Sequence, residues 1–226
     1  IAFFRVFFAS IFLLIYSITQ GYKLNFIYKY FNLLFILGLS GTTIPFFLIS
    51  WAQQTISSSE TGILIGFMPL FTVLGSHYFF KYEKLTANKI LGFIVGFLGL
   101  LILLLNNNEN INFFNNIYSK IAVIISAFFY ALNALLVKKI NDIEVIPLSA
   151  VVMTFSTVQL IFLSFFSDEI YLLESEIYLD ALISIIILSI LSTAFATVLY
   201  YKIIQNYGPN FLSLVNYPIP VFAFFA

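Results

Sequence analysis

Small hydroxyls, amides and prolines stand in this sequence where the surrounding residues are almost wholly apolar. Thr42, Thr43 and Pro45 fall in one apolar stretch, and Pro69 falls in the next. Ser192, Thr193 and Thr197 fall in a third, and Asn216, Tyr217, Pro218 and Pro220 in a fourth. A proline lacks the backbone donor and frees the carbonyl four residues back, so a polar group must satisfy what it leaves. Broken helices carrying Ser, Thr and Asn at the centre of a bilayer are the chemistry of solute binding rather than bond breaking. Any one of these residues reads as well as a lipid-facing kink whose hydroxyl bonds its own backbone. Recurrence in four stretches at equivalent depth turns the reading toward a pathway.

Other polar residues fit that chemistry. Arg5, the one arginine, sits about five residues into an apolar run, where a guanidinium must either reach the headgroups or pair. Glu60 opens the third run on the same side, so Arg5, Glu60 and Gln54 are candidates for an outer gate. Tyr130 and Asn133 lie one turn apart in mid-run, and an amide in hydrocarbon must be bonded. The substrate-cavity candidates are therefore Arg5, Thr42, Thr43, Pro69, Tyr130, Asn133, Thr193, Asn216, Tyr217 and Pro220. Trp51 near an interface reads as an anchor, and His77 as an interfacial residue.

Catalytic chemistry finds little to work with. No phosphate-cradling G-x-x-x-x-G-K-[ST] run is present, and one histidine cannot form a paired-His metal centre. The serines have no base in sequence, and thiol chemistry is absent because the chain has no cysteine. We expect no enzyme activity, no metal site and no cofactor. The alternative is a membrane enzyme acting on lipid-linked substrate through the acidic segment that includes Asp168 and Glu169, or a non-transporting interaction subunit. No Asp or Glu falls near the middle of an apolar run, which leaves proton coupling without an obvious group.

The elements that position these residues follow from composition. The chain is 62% hydrophobic and 9% charged, outside the range of soluble domains. Runs of about twenty apolar residues match a hydrocarbon layer of about 30 Å. Roughly eight such spans follow one another, near 1–19, 32–52, 57–79, 89–105, 119–137, 146–166, 180–201 and 209–226. Thr42 to Phe71 lies without a gap on Thr193 to Phe222, an offset of 151 residues that pairs Thr42 with Thr193, Leu48 with Leu199, Gln54 with Gln205 and Pro69 with Pro220. That register predicts one further span at each end, hence about ten in two copies of five. The first copy covers 1–105, a loop covers 106–118, and the second copy covers 119–226.

Charge sets the orientation. Alternate loops hold Lys23, Lys29, Lys81, Lys84, Lys89, Lys138, Lys139 and Lys202, whereas the others hold only Lys120 together with most of the acidic residues. The lysine-rich side is expected to face the cytoplasm. An odd number of spans per copy then makes the repeat inverted. Gly62 with Gly66, and Gly92 with Gly96, allow close helix approach and leave a homodimer open.

The residues also resemble a family. Ser57 to Gly62, Met68-Pro69-Leu70, Glu83 to Thr86, and Gly92, Gly96 and Gly99 resemble the first EamA repeat of the drug/metabolite transporter superfamily. Ile1 to Val6 is similar to that family's second helix with its arginine, and Ser192 to Phe195 through Asn216 to Val221 to the second repeat. Glu60 departs from the small or apolar residue usual there. The resemblance implies an all-α polytopic membrane protein with an inverted repeat of five-helix units, eight helices of about ten being present, and alternating access. It implies a secondary transporter of small metabolites such as amino acids or drug-like compounds, exporting across the cytoplasmic membrane. Its partners would be membrane lipid and a small-molecule substrate, with no nucleic acid.

Overall fold

The computed structural model describes residues 2–80, 91–92, 94–96, 98–99, 102, 116–164, 179–216 and 218. Helices account for the regular structure among them: α1 (Ala2–Thr19), α2 (Phe26–Gly38), a π-helical stretch π1 (Leu39–Thr43), α3 (Ile44–Ala52), α4 (Ser58–Ile65) and α5 (Met68–Phe79). After them come α6 (Ile117–Val137), α7 (Val145–Ser164), α8 (Leu179–Leu188), a second stretch π2 (Ser189–Phe195), α9 (Ala196–Tyr207), α10 (Pro209–Ser213) and a 3-10 turn (Leu214–Asn216). Among the described residues, six helical segments are long and apolar enough to cross a bilayer: Ala2–Thr19, Phe26–Ala52, Ser58–Phe79, Ile117–Val137, Val145–Ser164 and Leu182–Tyr207. The fold is that of an all-helical, polytopic membrane protein. Most of the expected fourth span and the end of the eighth lie outside the described residues.

Helix ends depart from the hydropathy reading for identifiable reasons. The second span begins at Phe26 rather than near 32, because a helical turn from Phe26 precedes a kink at Tyr30 (φ −114°, ψ 17°). Lys202 lies on α9 rather than in a loop. Lys120 also lies on a helix, in the first turn of α6, and is buried. At α4, Ser57 accepts from the Glu60 amide at 3.2 Å while the Glu60 carboxylate accepts from the Ser57 amide at 3.4 Å. This capping box satisfies two backbone donors at the helix start. Pro69 occupies the first turn of α5, where its missing N–H leaves no intrahelical bond broken. Gly208 (φ 89°) supplies the left-handed turn before α10, a conformation costly for any residue with a Cβ.

The chain divides into two compact units, each drawn from both halves of the sequence. The first is Ile1–Thr43 with Ile140–Gln205, and the second is Ile44–Lys139 with Asn206–Ala226. In the first, α1 packs along α7 and against π2, and α7 also meets α2 and π1. Val6, Ala9, Leu13, Leu34, Leu37 and Leu148 are buried there. In the second, α6 is the hub on which α3, α4, α5 and α10 pack. Ala52, Ile56, Leu64 and Val123 form a buried cluster at that hub.

Candidate functional site

The polar chemistry of the first unit gathers at two breaks in long helices. At π1, Pro45 follows two residues after the stretch and cannot donate to the Gly41 carbonyl. Neutral side chains from α7 close this region. Gln159, almost wholly buried, accepts from the Thr43 hydroxyl through Oε1 at 2.7 Å and donates through Nε2 to the Phe35 carbonyl at 2.9 Å. Ser156 Oγ, within 3.0 Å of the Val152 carbonyl on its own helix, also lies 3.3 Å from the Gly38 carbonyl, so its one hydrogen is shared between the two. Gly38 permits that approach: a Cβ there would lie 3.1 Å from Gln159 Oε1 and 3.2 Å from Ser156 Oγ. Within π1, Ser40 Oγ also bonds back to the Ile36 carbonyl at 2.7 Å. Thr42 and Thr43 are both buried in this stretch.

At π2 no proline is present, and Ala196 stands where the repeat register places Pro45. Ser189 bonds the Ile185 carbonyl at 2.6 Å, Ser192 the Leu188 carbonyl at 2.7 Å, and Thr197 the Thr193 carbonyl at 2.7 Å. Arg5 reaches this stretch from α1. Its Nη2 donates to Ser192 Oγ at 3.1 Å and to Thr193 Oγ1 at 3.3 Å. Thr193 lies about eleven residues, or roughly 17 Å of helix rise, into the span Leu182–Tyr207. The guanidinium therefore bonds hydroxyls near the middle of that helical segment. A charge held in a hydrocarbon layer costs roughly 2.5–3.5 kcal/mol or more, which the bonds to Ser192 and Thr193 help to offset.

The 151-residue register holds through these elements. It carries Leu39–Thr43 onto 190–194, inside π2 (Ser189–Phe195), and Ser58–Ile65 onto 209–216, the span of α10 and the 3-10 turn. It also carries Arg5 onto Ser156. The two helices bearing these residues thus each meet the break that belongs to the other copy.

The remaining candidates distribute as follows. Pro69 is buried at the start of α5. Asn133 is buried and Tyr130 half-buried, both on α6 in the second unit. Asn216 ends the 3-10 turn, while Tyr217 and Pro220 lie outside the described residues, as do Asp168 and Glu169. Gln54 is exposed after α3. Glu60, considered as a partner for Arg5, forms an ion pair with Lys120 at 3.5 Å inside the second unit. Beside that pair, Thr55 and Ser119 share a hydroxyl bond of 2.7 Å, and Asn116 Nδ2 donates to the Thr55 carbonyl at 2.8 Å. Sequence reasoning missed Gln159 and Ser156, although a Gln near the middle of an apolar run is itself a signal. It also missed a cavity of about 300 Å³ at the loop end of the first unit, lined in part by Tyr22, Lys29, Tyr30, Asp142 and Glu144. There the Tyr30 hydroxyl donates to Asp142 at 2.7 Å and, with Lys29 at 3.5 Å, holds the Asp142 carboxyl below its ordinary range. Bonding to the Glu144 carboxylate raises the Tyr22 phenol above its usual value.

The chain is similar in sequence and in fold to known proteins. The chain is 24% identical to the uncharacterized transporter YoaV of Bacillus subtilis (strain 168) across 88% of its own length and 65% of that protein. It is 24% identical to an uncharacterized transporter of Archaeoglobus fulgidus (85% and 66%) and 27% identical to one of Haemophilus influenzae (84% and 64%). It therefore spans a little under two thirds of the length of the curated relatives it matches. One solved crystal structure superposes with a TM-score of 0.77 over 98% of this chain and 75% of that chain, at 16% identity, a likeness of fold. A sequence profile of the EamA-like transporter family matches residues 1–105 and 118–226. The chain belongs to the EamA-like transporter family.

Proposed function

We propose that the full-length protein is a secondary transporter of small metabolites, amino acids or drug-like compounds among them, exporting by alternating access. The observation that carries this reading is the pair of π-helical breaks at equivalent positions of two repeats, each faced by polar side chains at mid-span. Arg5, Thr42, Thr43 and Thr193 are the solute-contacting residues of the first unit, and Tyr130 and Asn133 are the candidates of the second. The repeats are residues 1–105 and 119–226, joined by 106–118. The protein resides in the cytoplasmic membrane with its lysine-rich loops inside, in contact with lipid, and can form a homodimer. Membership in a transporter family favours transport over catalysis.

Full-length protein in sealed liposomes should exchange at least one labelled metabolite from a broad panel without ATP. Correct insertion with no movement of any solute would sink the proposal. Within it, Asn133→Leu should lower the transport rate by about tenfold while shifting the thermal midpoint by only a few degrees. Parallel losses would assign Asn133 to packing alone.

A further inference from the structure

The cavity at the loop end of the first unit is walled by residues that neither break uses. One wall is the turn between α1 and α2. Gly21 (φ 77°) closes α1 in a left-handed cap, with the Gly21 and Tyr22 amides donating to the Ile18 and Ser17 carbonyls at 3.0 and 3.1 Å. That cap fixes where Tyr22 and Lys23 leave the helix. The other wall is the loop before α7. Gln205 Nε2 donates to the carbonyls of Ile140 and Ile143 at 2.9 and 3.1 Å, and both isoleucines are buried. Asp142 and Glu144 therefore stand on an anchored loop. The segment Ala2–Thr19 ends at this cavity, and Phe26–Ala52 and Val145–Ser164 begin there. The ends of apolar helices are the level at which a bilayer presents its headgroups.

The charges on these walls divide into a closed set and an open one. Lys29 lies 3.5 Å from Asp142 and 4.5 Å from the Tyr30 ring centroid, and the Tyr30 hydroxyl donates to the same carboxylate at 2.7 Å. Those groups satisfy one another. Glu144 accepts from the Tyr22 phenol, a neutral partner. Among the described residues no cation pairs with Glu144, and Lys23 has no side-chain partner. One ammonium and one carboxylate thus stay open, one on each wall. A zwitterion that carries a phosphate and a primary ammonium complements both. We propose that this cavity binds the headgroup of phosphatidylethanolamine, with Lys23 on the phosphate and Glu144 on the ammonium. Its volume of about 300 Å³ equals that of roughly ten waters, room for the about eight heavy atoms of a phosphoethanolamine group. A choline nitrogen has no hydrogen to donate to Glu144, and a glycerol headgroup brings it no cation. The inference stands apart from the transporter reading, because its readout is lipid retention.

The test incubates full-length protein in detergent with equal amounts of dioleoyl phosphatidylethanolamine, its N-methylated series up to phosphatidylcholine, and phosphatidylglycerol. Native mass spectrometry then counts the lipid that stays bound. Wild-type protein should retain the ethanolamine lipid over the choline and glycerol lipids by about fivefold, the scale of one charged contact near a membrane surface. Retention should fall stepwise along the methyl series as donors are lost. Glu144→Gln should remove the preference for the amine, and Lys23→Gln should lower retention of the ethanolamine lipid by about fivefold. Both residues are exposed, so these variants keep the fold. Glu144→Lys should turn the preference toward phosphatidylglycerol, a reversal that damage to the loop would not produce. Equal retention of the three headgroups by wild type would overturn the proposal, as would a preference that survives Glu144→Gln. Free O-phosphoethanolamine at millimolar concentration should leave the lipid in place. Displacement by it would assign the cavity to a water-soluble ligand and overturn the lipid site.

Discussion

Gln159 shows how much one neutral side chain can hold in a membrane. Its amide spans the π1 break, accepting from Thr43 and donating to the carbonyl of Phe35. Gln159→Leu keeps the volume and strands both groups, so it should destabilise by about 1–3 kcal/mol, the cost of a buried polar group left unmet. Thermal unfolding in detergent measures this, and Gly38→Ala should lower the midpoint as well, since its Cβ would crowd the same amide at 3.1 Å. If both variants unfold like wild type, the clasp is not structural. The Glu60–Lys120 pair makes a second prediction at this scale. Their side chains are only 20% and 10% exposed, so removing one partner leaves a poorly solvated charge. Lys120→Met alone should cost about 3 kcal/mol, and adding Glu60→Gln should recover much of it. A double variant no better than the single one would deny the coupling. Neither interaction was legible from sequence: Lys120 reads as a loop cation, and a lone Gln does not disclose which helix its amide will face.

At the scale of elements, the two π stretches raise the question of what causes them. Pro45 suggests an answer for π1, because it removes a donor from the helix. The second copy argues otherwise, since π2 forms with Ala196 in the equivalent place. What the copies share is a cluster of Ser and Thr beside a residue from the facing helix. We expect Pro45→Ala to leave π1 in place, with the Thr43–Gln159 bond intact. Hydrogen exchange across 36–46 should change little, whereas Gln159→Leu should accelerate it. Rapid loss of protection in Pro45→Ala would return the cause to the proline. Here the sequence was informative, because Thr42 on Thr193 marked both breaks through their hydroxyls. It was silent on the helix type, since a π turn differs from a kink only in backbone bonding. The depth of Arg5 was hidden for a related reason: counting residues along α1 measures its Cα, while its guanidinium takes its level from Ser192 and Thr193.

For the whole molecule, the register and the lysine distribution make one joint demand. Equivalent helix ends of the two repeats must emerge on opposite faces of the membrane if the repeat is inverted. Gln54 follows the end of α3, and Asn206 lies beside Gln205, its register partner, at the end of α9. Both are exposed to a reagent. The 226 residues contain no cysteine, so single cysteines at these positions carry no background from this part of the chain. In intact cells, Gln54→Cys should react with a membrane-impermeant maleimide, and Asn206→Cys should react only after the membrane is opened. The lysine excess predicts that assignment, because Lys202 accompanies Asn206 while Gln54 lies far from any lysine-rich loop in sequence. Labelling of both from outside would make the repeats parallel and dissolve the symmetry argument for Arg5 and Ser156. Reversed labelling would keep the inversion and turn the molecule over, which would place the lysine-rich loops outside and reverse the sense of export.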